Sequence, residues 1–133
     1  MDCVFCKIVS GDIPSYKVWE DDKALAFLNI MPHKKGHLLL IPKKHEDYFF
    51  DLDDETISDL TVKAKPLAKV LKEIYMPKTG KVSMVLMGTG VAHVHLHLFP
   101  LDEETDINLD KAYKATSEEL TESMEKIKQA LES

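Results

Sequence analysis

"KVSMVLMGTGVAHVHLHLFP", residues 81–100, decides the fold. Its second half puts His93, His95 and His97 at every second position, alternating with Val94, Leu96 and Leu98. A strand sends successive side chains to opposite faces. The three histidines are therefore expected on one face and the three aliphatic residues on the other. "KVSMVLMG" (81–88) reads as a second strand. "GTG" between the two reads as the connection of an antiparallel pair.

Working outward, "YKVWE" (16–20) and "ALAFLN" (24–29) flank "DDK" and read as a β-hairpin, with Asp21 and Asp22 forming the turn. "GHLLLIP" (36–42) is a nearly continuous apolar run and reads as a buried strand. From Asp53 to Tyr75 the period changes: Ile57, Leu60, Ala64, Leu67, Leu71 and Ile74 recur every three or four residues, as in an amphipathic helix. Asp53, Asp54 and Glu55 suit its N-terminus. Pro66 inside the pattern is expected to kink or break it. "LDEETDINLD" (101–110) reads as acidic and irregular. Thr116 and Glu119 have the spacing of a capping box, and Leu120, Met124, Ile127 and Leu131 form one stripe of a last helix over about 116–131. The pattern predicts an α+β domain over residues 1–133: five strands in an antiparallel sheet, covered on one face by two main helices.

Composition removes several functions. The net charge is −6 and the chain has no arginine, so a nucleic-acid backbone is a poor partner and a guanidinium clamp on phosphate is excluded. No apolar run approaches the ~20 residues that span a bilayer, and no charged-then-apolar leader opens the sequence. A cytoplasmic protein with no membrane partner is expected.

Three imidazoles in register on one strand face could be solvated polar residues, but threonine, lysine or glutamate would serve that purpose. Two chemical readings stay open. Neutral imidazole is a common zinc ligand. It is also a nucleophile near neutral pH and, when protonated, holds an anion or donates a proton. "CVFC", Cys3 and Cys6, is either a pair of small apolar thiols near a strand end or half of a zinc site. His45 and a strand histidine could complete a Cys2His2 set.

Taken together, "CVFCKIVSGDIPSYKVWEDDKALAFLNIMPHKKGHLLLIPKKH" followed by "HVHLHLF" resembles the histidine triad (HIT) family of nucleotide hydrolases and nucleotidyl transferases, over about residues 3–100. The resemblance implies a HIT-like five-stranded antiparallel sheet and a homodimer. It implies a purine nucleotide substrate, either a nucleoside phosphoramidate or a dinucleoside polyphosphate, attacked at its α-phosphate. His95 would be the nucleophile and form a nucleotidyl-histidine. His97 and His37 would flank the phosphate. Asn29 would bind the ribose, and Phe5, Ile8, Ile13, Phe27 and Ile30 would form the slot for the base. Cys3, Cys6, His45 and His93 would hold one structural zinc per chain. His33 has no role in this scheme and is expected in a solvated loop; Met84 and Met87 are expected to pack.

The segments on either side of the triad depart from the family pattern. Thr89 stands where glutamine is usual, Gly90 where serine or threonine is common, and Leu101 where arginine is usual. The Thr89 hydroxyl and the N–H groups of residues 88–90 are the expected substitutes, since glycine-rich turns present amides to anions. The alternatives to an enzyme are a catalytically weak nucleotide-binding regulatory module with a structural zinc, and a metal-binding protein without a nucleotide.

Overall fold

The computed structural model describes residues 3–133, apart from the side chain of Leu109. Five strands form one antiparallel sheet in the order β1-β2-β3-β5-β4. They are β1 (Lys17–Glu20), β2 (Ala24–Leu28), β3 (Leu38–Pro42), β4 (Lys81–Val85) and β5 (Leu96–Leu101). The helices are α1 (Val4–Ser10), α2 (Asp54–Tyr75) and α3 (Ser117–Glu132). The α+β class and the five strands are as predicted.

The β1–β2 turn is fixed by Asp21, whose carboxylate accepts the N–H groups of Lys23 and Ala24. Alternation then sorts the strand residues into two cores. Ala24, Ala26, Leu28, Leu38, Leu40, Leu96 and Leu98 face α2 and α3, meeting Leu60, Leu67, Leu71, Leu120 and Ile127. Leu25, Phe27, Leu39 and Ile41 face the other way, onto Cys3 and Phe5. Burial on both faces explains why β3 reads as an unbroken apolar run.

Helix α1 corrects the expectation of helices on one face only and of thiols near a strand end. Seven residues are too few to show a helical period. The Cys3 thiol accepts the Cys6 N–H as N-cap at 3.4 Å, and Gly11 closes the helix at φ 87°. Pro66 does not break α2, which continues from Asp54 to Tyr75. The proline is exposed, so the carbonyl it leaves without an N–H partner, that of Val62, lies on the solvent side of the helix. Asp53 caps α2 through the Thr56 N–H, and Thr116 caps α3 through the Glu119 N–H.

The triad segment also differs from expectation. β4 ends at Val85 and β5 begins at Leu96, so His93 and His95 precede the strand and only His97 lies in it. The facing nevertheless follows the alternation: Val94, Leu96 and Leu98 enter the helix-side core, and the histidines face the α1 side. They are not solvated. His93, His95 and His97 are 0, 6 and 7% exposed.

Candidate active site

Two segments of backbone bring the histidines together. β3 pairs with β5 with Leu39 opposite His97, which sets His37, one residue before β3, beside the triad. Gly36 makes the approach possible. It adopts φ +81°, and a Cβ there would come within 2.9 Å of Tyr75 Cδ2.

Hydrogen bonds to backbone groups fix the proton on His37, His93 and His95, and His37 in turn fixes the one on His97. The His33 N–H donates to His37 Nδ1 at 3.0 Å, so the His37 proton sits on Nε2. That Nε2–H donates to His97 Nδ1 at 2.9 Å, which places the His97 proton on Nε2. His97 Nε2 is buried and has no hydrogen-bond partner among the described residues. His95 Nδ1–H donates to the His93 carbonyl at 2.7 Å, leaving a lone pair on Nε2. His93 Nε2–H donates to the Pro42 carbonyl at 2.8 Å, leaving a lone pair on Nδ1. Burial, with His97 and His33 adding, holds His37 down at about 3. Burial, with His95 and His33 adding, holds His97 at about 4. Both rings are therefore neutral at neutral pH, each with one proton.

His95 and His97 line a cavity of about 490 Å³. Phe5, Ile8, Ile13, Phe27, Asn29, Ile30 and Thr89 line it as well. Its walls are mostly apolar. Phe5 meets Phe27 edge-on at 5.5 Å and His95 at 5.2 Å. The Asn29 side-chain oxygen is used by the Met31 N–H, so its amide N–H2 is the group left to donate. His37 does not line the cavity; it stands behind His97. Val4, Tyr16, Leu39, Met87 and Val91 line it and were not foreseen. Only their fold neighbours bring them there. Met84 is exposed and Met87 faces the cavity, so neither packs as expected.

Cys3, Cys6, His45 and His93 form a second cluster, their donor atoms all within 4.8 Å of one another. His93 Nδ1 lies 3.4 Å from Cys3 Sγ and 3.5 Å from Cys6 Sγ, and His45 Nδ1 lies 3.2 Å from Cys6 Sγ. A tetrahedral zinc, at ~2.3 Å from sulfur and ~2.0–2.1 Å from nitrogen, sets such donors about 3.5 Å apart. The donor set and its spacing fit that ion. His93 thus serves both clusters: its ring turns to the thiols and its carbonyl holds His95.

His33 corrects the sequence reading. It is 7% exposed, with Nδ1–H donating to the Asp106 carbonyl at 3.1 Å and its ring against His37 and Phe99. The acidic segment after β5 is likewise more ordered than expected. It forms short 3-10 turns around a buried Asp106 carboxylate that accepts the N–H groups of Asp102 and Glu103.

A family model for the HIT domain matches residues 10–104, which include all six histidines. The chain belongs to the HIT family. This HIT protein is 39% identical over 139 residues to an adenosine 5'-monophosphoramidase of Candida albicans, covering 97% of this chain and 91% of that one. It is 38% identical over 104 residues to an uncharacterized HIT-like protein of Methanocaldococcus jannaschii, covering 74% of this chain and 78% of the other. Among solved structures it resembles a HIT-like protein from Bartonella henselae, with a TM-score of 0.84, 30% identity, and 97% and 96% of the two chains covered. It also resembles a zinc-bound histidine triad family protein from Mycobacterium smegmatis, with a TM-score of 0.82, 28% identity, and 99% and 94% covered.

Proposed function

We propose that this HIT protein is a nucleotide hydrolase that cleaves the bond between the α-phosphorus and its leaving group in a nucleoside phosphoramidate or dinucleoside polyphosphate. The observation that carries the reading is the pairing of protons at the cavity wall. His95 offers a lone pair, and beside it His97 offers an N–H that has no partner among the described residues. An electrophile carrying anionic oxygens meets both needs at once.

In the proposed reaction the apolar walls take the base and the Asn29 amide donates to the ribose. His95 Nε2 attacks phosphorus, the P–N or P–O bond breaks with its electron pair going to the leaving group, and a nucleotidyl-histidine forms. A leaving amine takes a proton from solvent that the attacking water later returns. His97 Nε2–H donates to a phosphoryl oxygen as negative charge grows there, with no reorganisation needed because His37 already holds its other nitrogen. Water then adds to phosphorus, frees His95 and releases the nucleoside monophosphate. Thr89, which lines the cavity, is proposed to meet the leaving group together with the N–H groups beside it. The name of the Candida relative favours an adenosine phosphoramidate among the substrates.

Cys3, Cys6, His45 and His93 are proposed to hold one zinc per chain. With four protein ligands and no open position it supplies rigidity, tying α1 to the residue whose carbonyl holds His95. A homodimer is proposed as well. β4 is an edge of the sheet, and Met84 within it and Leu86 just past its end are exposed, an apolar strip that a second copy of this edge would cover.

The test is intact-mass measurement after brief mixing with adenosine 5'-phosphoramidate and a quench in base, with His95→Ala alongside. The expected result is an adduct of one nucleotidyl group on the wild type only, with monophosphate accumulating. Nucleotide binding without adduct or monophosphate would replace the enzyme by a binding module, for which the altered "MGTG" segment would be the reason.

A further inference from the structure

Of the six histidines, His33 alone has no part in the proposed reaction or in the thiol cluster. Yet it is buried, and a titratable ring is costly to bury without a purpose for its polar atoms. Its contacts run in two directions. On one side, Nδ1–H donates to the carbonyl of Asp106, 73 residues away. That residue is itself anchored, for its carboxylate accepts two backbone N–H groups and lies 3.3 Å from Lys111 Nζ. On the other side, the His33 ring stands edge-on to His37 with centroids 5.0 Å apart, and its backbone N–H donates to His37 Nδ1.

We infer that His33 is a positioning residue: its ring, tethered to the turn at Asp106, aims its own N–H at His37 and thereby sets which nitrogen of His97 carries the proton. The inference rests on the reaction proposed above for its catalytic meaning, but not for its structural content. The row His33–His37–His97 has only two self-consistent proton arrangements. With the His33 N–H in place, both histidine protons sit on Nε2 and His97 presents a donor to the cavity. If that N–H drifts away, His37 can carry its proton on Nδ1 instead. His97 then carries its own on Nδ1 and turns a lone pair toward an anionic oxygen. Any residue other than proline supplies a backbone N–H at position 33. What the histidine side chain adds is the tether that holds the segment between Pro32 and Gly36 still.

Two substitutions separate tether from packing. His33→Phe keeps a ring against His37 and Phe99 and removes the Nδ1–H. His33→Asn keeps an N–H donor at nearly the same place and removes the ring. The measurements on the full chain are the imidazole 15N shifts of His97, which report its tautomer, and kcat and KM with adenosine 5'-phosphoramidate. The expected result for His33→Phe is a mixed His97 tautomer, kcat down roughly 10-fold and KM within about two-fold. His33→Asn should restore a single Nε2–H tautomer and most of kcat. A folded His33→Phe with an unchanged tautomer overturns the inference, whether or not kcat falls. Should His33→Phe fail to fold, the asparagine variant decides: a mixed tautomer there overturns it, and a single one supports it. If the wild type shows no turnover but His33→Phe still scrambles the tautomer, the proposed reaction fails and the positioning role stands.

Discussion

His37 Nε2 lies 2.9 Å from His97 Nδ1, and the proton between them belongs to His37, because the other His37 nitrogen already accepts the His33 N–H. The polarity of that one bond determines whether His97 Nε2 presents a donor or a lone pair at the cavity wall. His37→Phe removes the donor and leaves His97 Nδ1 buried and unpaired. Activity on adenosine 5'-phosphoramidate should fall roughly 10- to 100-fold in kcat with KM little changed. Equal losses in binding and turnover would place His37 in ground-state binding instead.

Acid should destabilise the fold well above the range where carboxylates titrate. His37 and His97 are held at about 3 and about 4, against about 6.5 in an unfolded chain. Below pH 6.5 the unfolded chain binds protons that the folded chain refuses, so the unfolded state gains as pH falls. Stability is therefore full above about 6.5 and declines through the window down to about 4 and 3. Urea midpoints between pH 7.5 and 4.5 should show the decline, and His37→Phe should make it shallower. Equal midpoints across that range would contradict the burial of neutral rings.

Zinc analysis of the purified chain should give one ion per chain, reduced to near zero in Cys6→Ser. The melting temperature should drop by at least about 5 °C in that variant, and chelation should bring the wild type down to the same level. A Cys6→Ser protein that keeps its metal would remove that thiol from the ligand set.

Pro66→Ala should stabilise the protein by about 1–2 kcal/mol, measured by urea unfolding. The alanine N–H can bond the Val62 carbonyl and relieve the ring clash, and the greater freedom of the unfolded chain offsets part of the gain. A loss of stability would mean that the proline's restriction of the unfolded chain outweighs the recovered hydrogen bond.

How much of this was readable beforehand depends on the range of the interaction. The strands at 24–28 and 38–42, the caps at Asp53 and Thr116, and the facing of His93, His95 and His97 follow from local periodicity and local hydrogen bonds. α1 escapes because it is shorter than two full helical periods and is capped by a thiol. Pro66 misleads because its cost depends on whether the freed carbonyl meets water, which is a matter of orientation. His33 misleads most: its hydrogen-bond partner lies 73 residues away, and nothing adjacent to it in the sequence points there. The placement of Ile8, Ile13, Asn29 and Thr89 around one cavity came through family resemblance, since composition and spacing alone do not distinguish cavity lining from core.

The pairing of β3 with β5 has a kinetic consequence. Sixty residues separate His37 from His97, and the whole of α2 lies between them. Closing that loop costs chain entropy before any contact repays it. Neither half of the chain holds a working fragment of the cavity wall, because the proton arrangement of one half is imposed by the other. In a refolding experiment, competence to form the adduct should therefore return in step with completion of the sheet and lag behind the appearance of helix. The reaction itself would then be a clock for the joining of β3 to β5.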